Sequence, residues 1–346
     1  MRAALIAAFG EPLEVTDVAD PELPENGVVL RVEATGVCRS DWHAWMGHER
    51  LPGLPHVPGH EMAGTVVAVG TRVERWSIGD RVTVPFSMGC GRCPSCAAGH
   101  LNTCDEGFTP GFSTWGSFAE LVALDHADTN LIALPDGFDP VHAAALGCRF
   151  VTAFRAVADR GRVESGQWLA VHGCGGLGLS AVMVGAALGA RVIAVDIQQA
   201  ALDMASALGA EATIDATAVE SVTGAVREVT GGGSHVSVDA LGSTTTAINS
   251  VRSLRKQGRH VQVGLLHGED AGLVLPWERV LMWELEVVGS RGIPATDYPR
   301  IFSLIEDGAV DPGRLVTKRI AIEDASDALS AMSRFDGAGM TVIDRF

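Results

Sequence analysis

Short apolar runs, each broken by turn formers, dominate the first half of the chain. Gly27–Val32, Gly64–Gly70 and Asp80–Val84 are valine-rich, and Gly and Pro punctuate them every ten or so positions. Short runs of this kind between turn residues predict strands of an all-β barrel or sandwich. The pattern changes near residue 150. Trp168–His172 reads as a strand, a glycine-rich turn follows, and Leu177–Leu188 is an Ala, Leu, Val and Met run of helical length. Arg191–Asp196, Val236–Asp239, Arg259–Val263 and Glu286–Gly289 continue the strand series. Strands alternating with helical segments predict a parallel sheet with helices on both faces. After residue 290, helices are expected over Tyr298–Glu306 and Ala325–Met332, and a last strand over Met340–Asp344.

Composition narrows the class. The chain has 346 residues, enough for two domains, with 47% hydrophobic and 20% charged residues, as in a soluble globular protein. No unbroken run of 18 apolar residues occurs, so a membrane span is not expected. The apolar start, Ala3–Phe9, runs into Gly10-Glu11-Pro12 without a cleavage site and is read as a first strand, not a signal peptide. A formal net charge of -16 disfavours nucleic acid and anionic membrane as partners. Seven cysteines, an odd number clustered at metal-ligand spacing, favour a reducing cytoplasm over a disulfide framework.

His172-Gly173-Cys174-Gly175-Gly176-Leu177-Gly178 carries G-x-G-x-x-G between an expected strand and an expected helix. The next strand ends in an acid, Asp196. This order is what a dinucleotide turn requires: the glycines let a pyrophosphate approach the helix N-terminus, and Asp196 accepts hydrogen bonds from a ribose. A carboxylate there repels a 2′-phosphate, and Ile197-Gln198-Gln199 bring no cation, so NAD is favoured over NADP. Gly173, Gly175, Gly176, Leu177, Gly178, Asp196 and Val263 are the candidate cofactor contacts. Cys174 is read as packing.

The other six cysteines divide in two. Cys90, Cys93, Cys96 and Cys104 follow C-x2-C-x2-C-x7-C. Four close thiolates suit a closed tetrahedral zinc site. Iron–sulfur clusters also use cysteine runs with two-residue gaps, but the polar, turn-rich surroundings favour zinc. Cys38 and Cys148 stand alone and, with His60, offer two thiolates and an imidazole. Three ligands leave one position open, the mark of a catalytic zinc.

With Gly59-His60-Glu61, the Cys38-x-Ser40-Asp41-x-His43 segment, the four-cysteine lobe, Cys148 and the dinucleotide turn in this order, the chain resembles the zinc-dependent medium-chain alcohol dehydrogenases over essentially its whole length. The resemblance implies an α/β protein: a GroES-like β-barrel catalytic domain over 1–152, to which 290–346 returns, and a Rossmann doubly wound parallel-sheet NAD-binding domain over 153–289. It implies two zinc ions per chain, one structural and one catalytic, the latter on Cys38, His60 and Cys148. Glu61 would lie behind the metal, Asp41 would orient His60, Ser40 would touch the substrate oxygen, and His43, titrating near neutrality, would pass the proton to solvent. Arg39 would meet the pyrophosphate and Thr152 would lie near the nicotinamide. Many relatives carry an arginine near the C-terminal strand beside the cofactor phosphates. Met340 or Thr341 stands there in this chain, so one phosphate contact is expected to be missing.

The implied reaction is reversible oxidation of an alcohol by NAD to an aldehyde or ketone. Trp42, Phe86 and Trp115 are candidates for the substrate pocket, with Trp45 and Phe112 also near it, which points to an apolar or aryl small-molecule alcohol. A polyol, threonine or another hydroxy substrate on the same fold is the alternative, and a non-catalytic relative is a third. The apolar stretch Val280–Ser290 is expected at a subunit interface, in a homotetramer or, second, a homodimer.

Overall fold

The computed structural model describes residues 1–334 and 337–346. A hairpin of β1 (Arg2–Leu5) and β2 (Glu14–Asp17) opens the chain. β3 (Val28–Val37), β4 (Glu61–Val69), β5 (Arg81–Thr83), β6 (Leu121–Leu124) and β7 (Ile132–Ala133) follow. Six strands then alternate with helices: β8 (Trp168–His172), β9 (Arg191–Asp196), β10 (Ala212–Asp215), β11 (Ser234–Asp239), β12 (Leu254–Gln262) and β13 (Glu286–Gly289). β14 (Val316–Ala321) and β15 (Met340–Arg345) close the chain.

Two sheets organise these strands. The first has the order β14-β15-β3-β4-β5-β7, with β6 also on β3. The chain's last strands therefore join its first ones, β15 lying antiparallel to β3. The second is all-parallel, in the order β10-β9-β8-β11-β12-β13. Its strand order reverses between β8 and β11, and ligands bind outside the carboxyl ends of strands at such a point.

The helical run Pro140–Arg160 links the sheets. Asp139 caps it, accepting from the Val141 amide at 2.8 Å, and Pro140 sits in the first turn, where its missing N–H costs nothing. The sequence pattern did not announce this run, because Arg149, Arg155, Asp159 and Arg160 interrupt its apolar stretch. Its 21 residues are long and apolar enough to cross a membrane, yet 78% of the apolar window is buried within the protein. Phe150, Val151, Ala153, Phe154 and Val157 pack into one core with Leu169 and Val171 of β8, Leu179 and Val182 of the next helix, and Tyr298. That shared core makes the run the spine between the two sheets.

Candidate active site

Strand register assembles the centre. β3 ends one residue before Cys38, and β4 begins one residue after His60, with Gly36 opposite Glu61. Antiparallel pairing therefore sets Cys38 and His60 side by side. Cys148 arrives from the spine, where residues Leu146–Phe150 form a single π-helical turn. Such turns redirect side chains, and here consecutive residues, Cys148 and Arg149, both reach the same centre. Gly147 permits the close approach: a Cβ there would lie 2.6 Å from Glu61 Cα.

The ligand atoms of Cys38, His60, Glu61 and Cys148 lie within 4.8 Å of one another. Asp41 is fully buried and accepts from the Cys38 amide at 2.9 Å, the Gly59 amide at 3.1 Å and His60 Nδ1 at 2.8 Å. Fixing Nδ1 as the donor leaves Nε2 free to bind. That atom is buried with no hydrogen-bond partner among the described residues. The Cys148 thiol, hydrogen-bonded to Cys38, and then His60 hold the Cys38 thiol well below its ordinary range. Two sulfurs, one already favoured as thiolate, and an orphaned imidazole nitrogen fit a zinc ion.

Behind this set lies a buried ion pair that the motifs did not predict. Arg149 Nε donates to Glu61 Oε1 at 3.0 Å, the Arg149 amide donates to the same oxygen at 3.1 Å, and Nη2 reaches Oε2 at 2.5 Å. Burial raises the Glu61 pKa, and Arg149 opposes that rise. Gly36 leaves room for the pair, since a Cβ there would strike Glu61 Oε2 at 2.1 Å. The only sequence signal was a basic residue beside a candidate ligand in an apolar run; buried arginines are almost always paired.

The helix Arg39–Trp45 carries the remaining candidates from the first motif. Ser40 is half-buried in its first turn. His43 Nδ1 lies 3.0 Å from His48 Nδ1, and its ring stacks at 4.3 Å on His267, which follows β12 in the nucleotide-binding half. Burial first, then His267, Arg39 and His48, push the His43 pKa down to about 4. This departs from the expectation of titration near neutrality, since these surroundings favour the neutral ring. Arg39, expected at the pyrophosphate, donates to the Met332 carbonyl, with its guanidinium 3.9 Å from the Trp42 ring centre. Trp42 is likewise no part of the wall around His60; its Nε1 donates to Ser333 at 2.8 Å and its ring joins a different core.

Phe86 and Phe112 provide the aromatic wall, with ring centres 6.1 and 5.3 Å from that of His60. Phe112 also lines a groove of about 380 Å³ together with Arg50, Leu51, Pro52, Thr109 and Ser113. Trp115 is part-exposed on the same loop. Thr152, one turn after Cys148, has a buried hydroxyl with no partner among the described residues.

The four-cysteine lobe stands apart. Its sulfurs also lie within 4.8 Å of one another, and no disulfide joins them. Amide-to-sulfur hydrogen bonds run from Cys93 to Cys90 and from Cys96 to Cys93 at 3.4 Å, and from Cys90 to Cys104 at 3.3 Å. The Cys96 and Asp105 amides lower the Cys93 pKa to about 7, which prepares a thiolate. The set suits a closed metal site.

At the carboxyl end of β8, Gly173 takes φ +89°, a conformation that side chains rarely adopt. A Cβ on Gly178 would meet the Gly173 carbonyl at 1.8 Å, whereas one on Gly175 would meet nothing within 4 Å. The turn is thus tight below and open above Gly175, where the twelve-residue helix Gly176–Ala187, with Leu177 in its first turn, begins. Asp196 ends β9 with its carboxylate accepting from the amides of Cys174, Ile197 and Gln198 at 2.5, 2.7 and 2.9 Å. Val263 follows β12 at the same end of the sheet. Cys174 is buried in the shared core. Open glycine backbone at a helix N-terminus, with a fixed acid at the next strand end, fits a dinucleotide.

Comparison with known proteins agrees with this geometry. Residues 24–136 match the family model of the alcohol dehydrogenase GroES-like domain, and residues 176–307 match that of the zinc-binding dehydrogenases. An NAD-dependent alcohol dehydrogenase of Sulfurisphaera tokodaii is 33% identical over 352 residues, covering 99% of each chain. The solved alcohol dehydrogenase TADH from Thermus sp. ATN1 superposes with a TM-score of 0.91 at 28% identity and full coverage of both chains. The benzyl alcohol dehydrogenase of Acinetobacter calcoaceticus gives 0.91 at 25% identity, covering 100% of this chain and 99% of its own.

Proposed function

The chain belongs to the zinc-dependent medium-chain alcohol dehydrogenases, and on that premise we propose that it interconverts an apolar or aryl, primary or secondary alcohol and its aldehyde or ketone, with NAD as hydride acceptor. The observation that carries this reading is the convergence of Cys38, His60 and Cys148, with His60 Nε2 unpartnered, beside the glycine turn of the parallel sheet. Cys38, His60 and Cys148 would hold one zinc and Cys90, Cys93, Cys96 and Cys104 a second. When bound, the catalytic zinc supplies a Lewis acid for the alcohol oxygen and NAD supplies the site for hydride.

The chain's own groups do the rest. Asp41 keeps His60 in one tautomer and one orientation. Ser40, in the first turn of the helix Arg39–Trp45, would hold the substrate hydroxyl, and His43 would take the departing proton, with His48 Nδ1 3.0 Å away to carry it outward. Phe86 and Phe112 shield the centre from water and favour an apolar substrate. Asp196, with no cation in the Ile197–Gln199 segment, supports NAD over NADP.

Seven cysteines without a disulfide support a cytoplasmic setting. The free edge of β13 and the exposed side chains of Trp277, Leu281 and Met282 support a homotetramer built through that edge, with a homodimer second. NADH formation with a panel of aliphatic, aryl and polyol alcohols and threonine tests the substrate class. Turnover of apolar alcohols is expected; turnover of polyols or threonine alone would replace the substrate reading, and no turnover at all would favour a non-catalytic relative.

A further inference from the structure

β15 offers the nucleotide turn no cation, because Met340 packs there; a Cβ on Gly176 would lie 3.3 Å from Met340 Cγ. The same Cβ would lie 2.8 Å from Arg149 Cδ and 3.1 Å from its Nη1. Arg149 is only 7% exposed, and among the described residues it spends Nε and Nη2 on Glu61 while Nη1 has no acceptor. Nη1 is therefore the edge of the guanidinium left to take a further acceptor at the turn. The edge also faces the N-terminus of the helix Gly176–Ala187, the positive end of its dipole. Side chain and turn are in contact, so an anion resting against both would accept from Nη1 and from the amides of the turn.

We propose that Arg149 supplies the phosphate contact missing from β15, donating through Nη1 to the pyrophosphate of NAD at the Gly175–Gly176 turn while its other edge holds Glu61 behind the metal centre. The inference rests on the NAD reading above. It makes Arg149 a cofactor-binding residue carried by the spine, in direct sequence contact with the ligand Cys148. Arginine suits the task, since it stays charged and its fork serves two anions at once.

The rival role for Arg149 is neutralisation of Glu61 alone. Two variants separate the roles. Glu61→Gln removes the buried carboxylate and leaves Arg149 in place, its fold verified by circular dichroism and thermal melting before binding is measured. Glu61→Gln/Arg149→Met removes both charges, so no unpaired buried ion remains to unfold the protein. Dissociation constants for ADP-ribose, NADH and adenosine are measured by calorimetry on zinc-loaded protein of verified metal content. The double variant is expected to bind ADP-ribose and NADH about tenfold or more weakly than Glu61→Gln, the loss of a charged hydrogen bond, with adenosine unaffected. Equal affinities in the two variants would overturn the proposal while leaving the NAD reading intact. Failure of the wild-type protein to bind NADH would instead overturn that reading, and the proposal with it.

Discussion

Asp41 receives three N–H groups inside the protein, and one of them fixes the nitrogen His60 must present. Asp41→Asn keeps the shape but loses the charge and one acceptor. It should weaken zinc binding at the Cys38–His60–Cys148 centre about 10- to 100-fold, read by chelator competition; unchanged affinity would deny it the orienting role. His172, at the end of β8, is fully buried, and burial followed by His260 lowers its pKa to about 3. Above its unfolded pKa, near 6.5, both folded and unfolded states are neutral and it contributes no pH dependence. Below 6.5 the unfolded chain takes the proton first, so stability falls as pH drops towards 3, by about 1.4 kcal/mol per unit. In urea unfolding, His172→Gln should show a correspondingly shallower decline between pH 6.5 and 5.5 than the native chain; parallel curves would contradict this. The four-cysteine spacing was legible in the sequence on its own; Cys38, Cys148 and His60 gained weight from that cluster and the glycine turn, and Asp41 came with the family resemblance. Burial and distant partners were not legible. Arg149 takes its meaning from Glu61, 88 positions away, and His43 loses its basicity first to burial and then to His267, which belongs to the other half of the chain.

The π-helical turn at Leu146–Phe150 and the four-cysteine lobe are the elements that sequence patterning described least well. The former has no periodic signature, because a single wide turn inside an apolar helix changes facing without changing composition. The latter was legible as ligands but not as a structure. Its cluster contains only the four cysteines and Leu101, far too small a core to hold a loop of this length unaided. Side-chain anchors tie it to the body: Asn130 Oδ1 accepts from the Gly89 amide at 2.8 Å and Asn130 Nδ2 donates to the Gly89 carbonyl at 2.9 Å, and Asn102 Nδ2 donates to the Arg291 carbonyl at 2.7 Å. On the proposed reading, a zinc on the four cysteines would supply much of the lobe's order. Chelation, or Cys93→Ser, should open residues 91–106 to limited proteolysis while circular dichroism of the remaining fold changes little. Resistance to cleavage without metal would show that the anchors suffice.

At the scale of the molecule, the split into a turn-punctuated β region and an alternating α/β region was plain from hydrophobic patterning, because strands and helices repeat with different periods. The joining of β14 and β15 to β3 was not readable from pattern alone, and came with the family resemblance; pairing over some three hundred positions leaves no local trace. The exposed apolar face near β13 makes its own prediction. Leu281→Asp with Met282→Asp should lower the mass seen by light scattering from that of an oligomer towards the monomer, and a native monomer would remove the interface altogether. The central claim, that Cys38, His60 and Cys148 hold the metal on which alcohol oxidation by NAD depends, is tested most directly by zinc content measured beside turnover in the native chain and in Cys148→Ala. The account predicts about two zinc per native chain and one in the variant, with turnover lost while the four-cysteine site stays filled. A variant that keeps full turnover, or both metals, would contradict it.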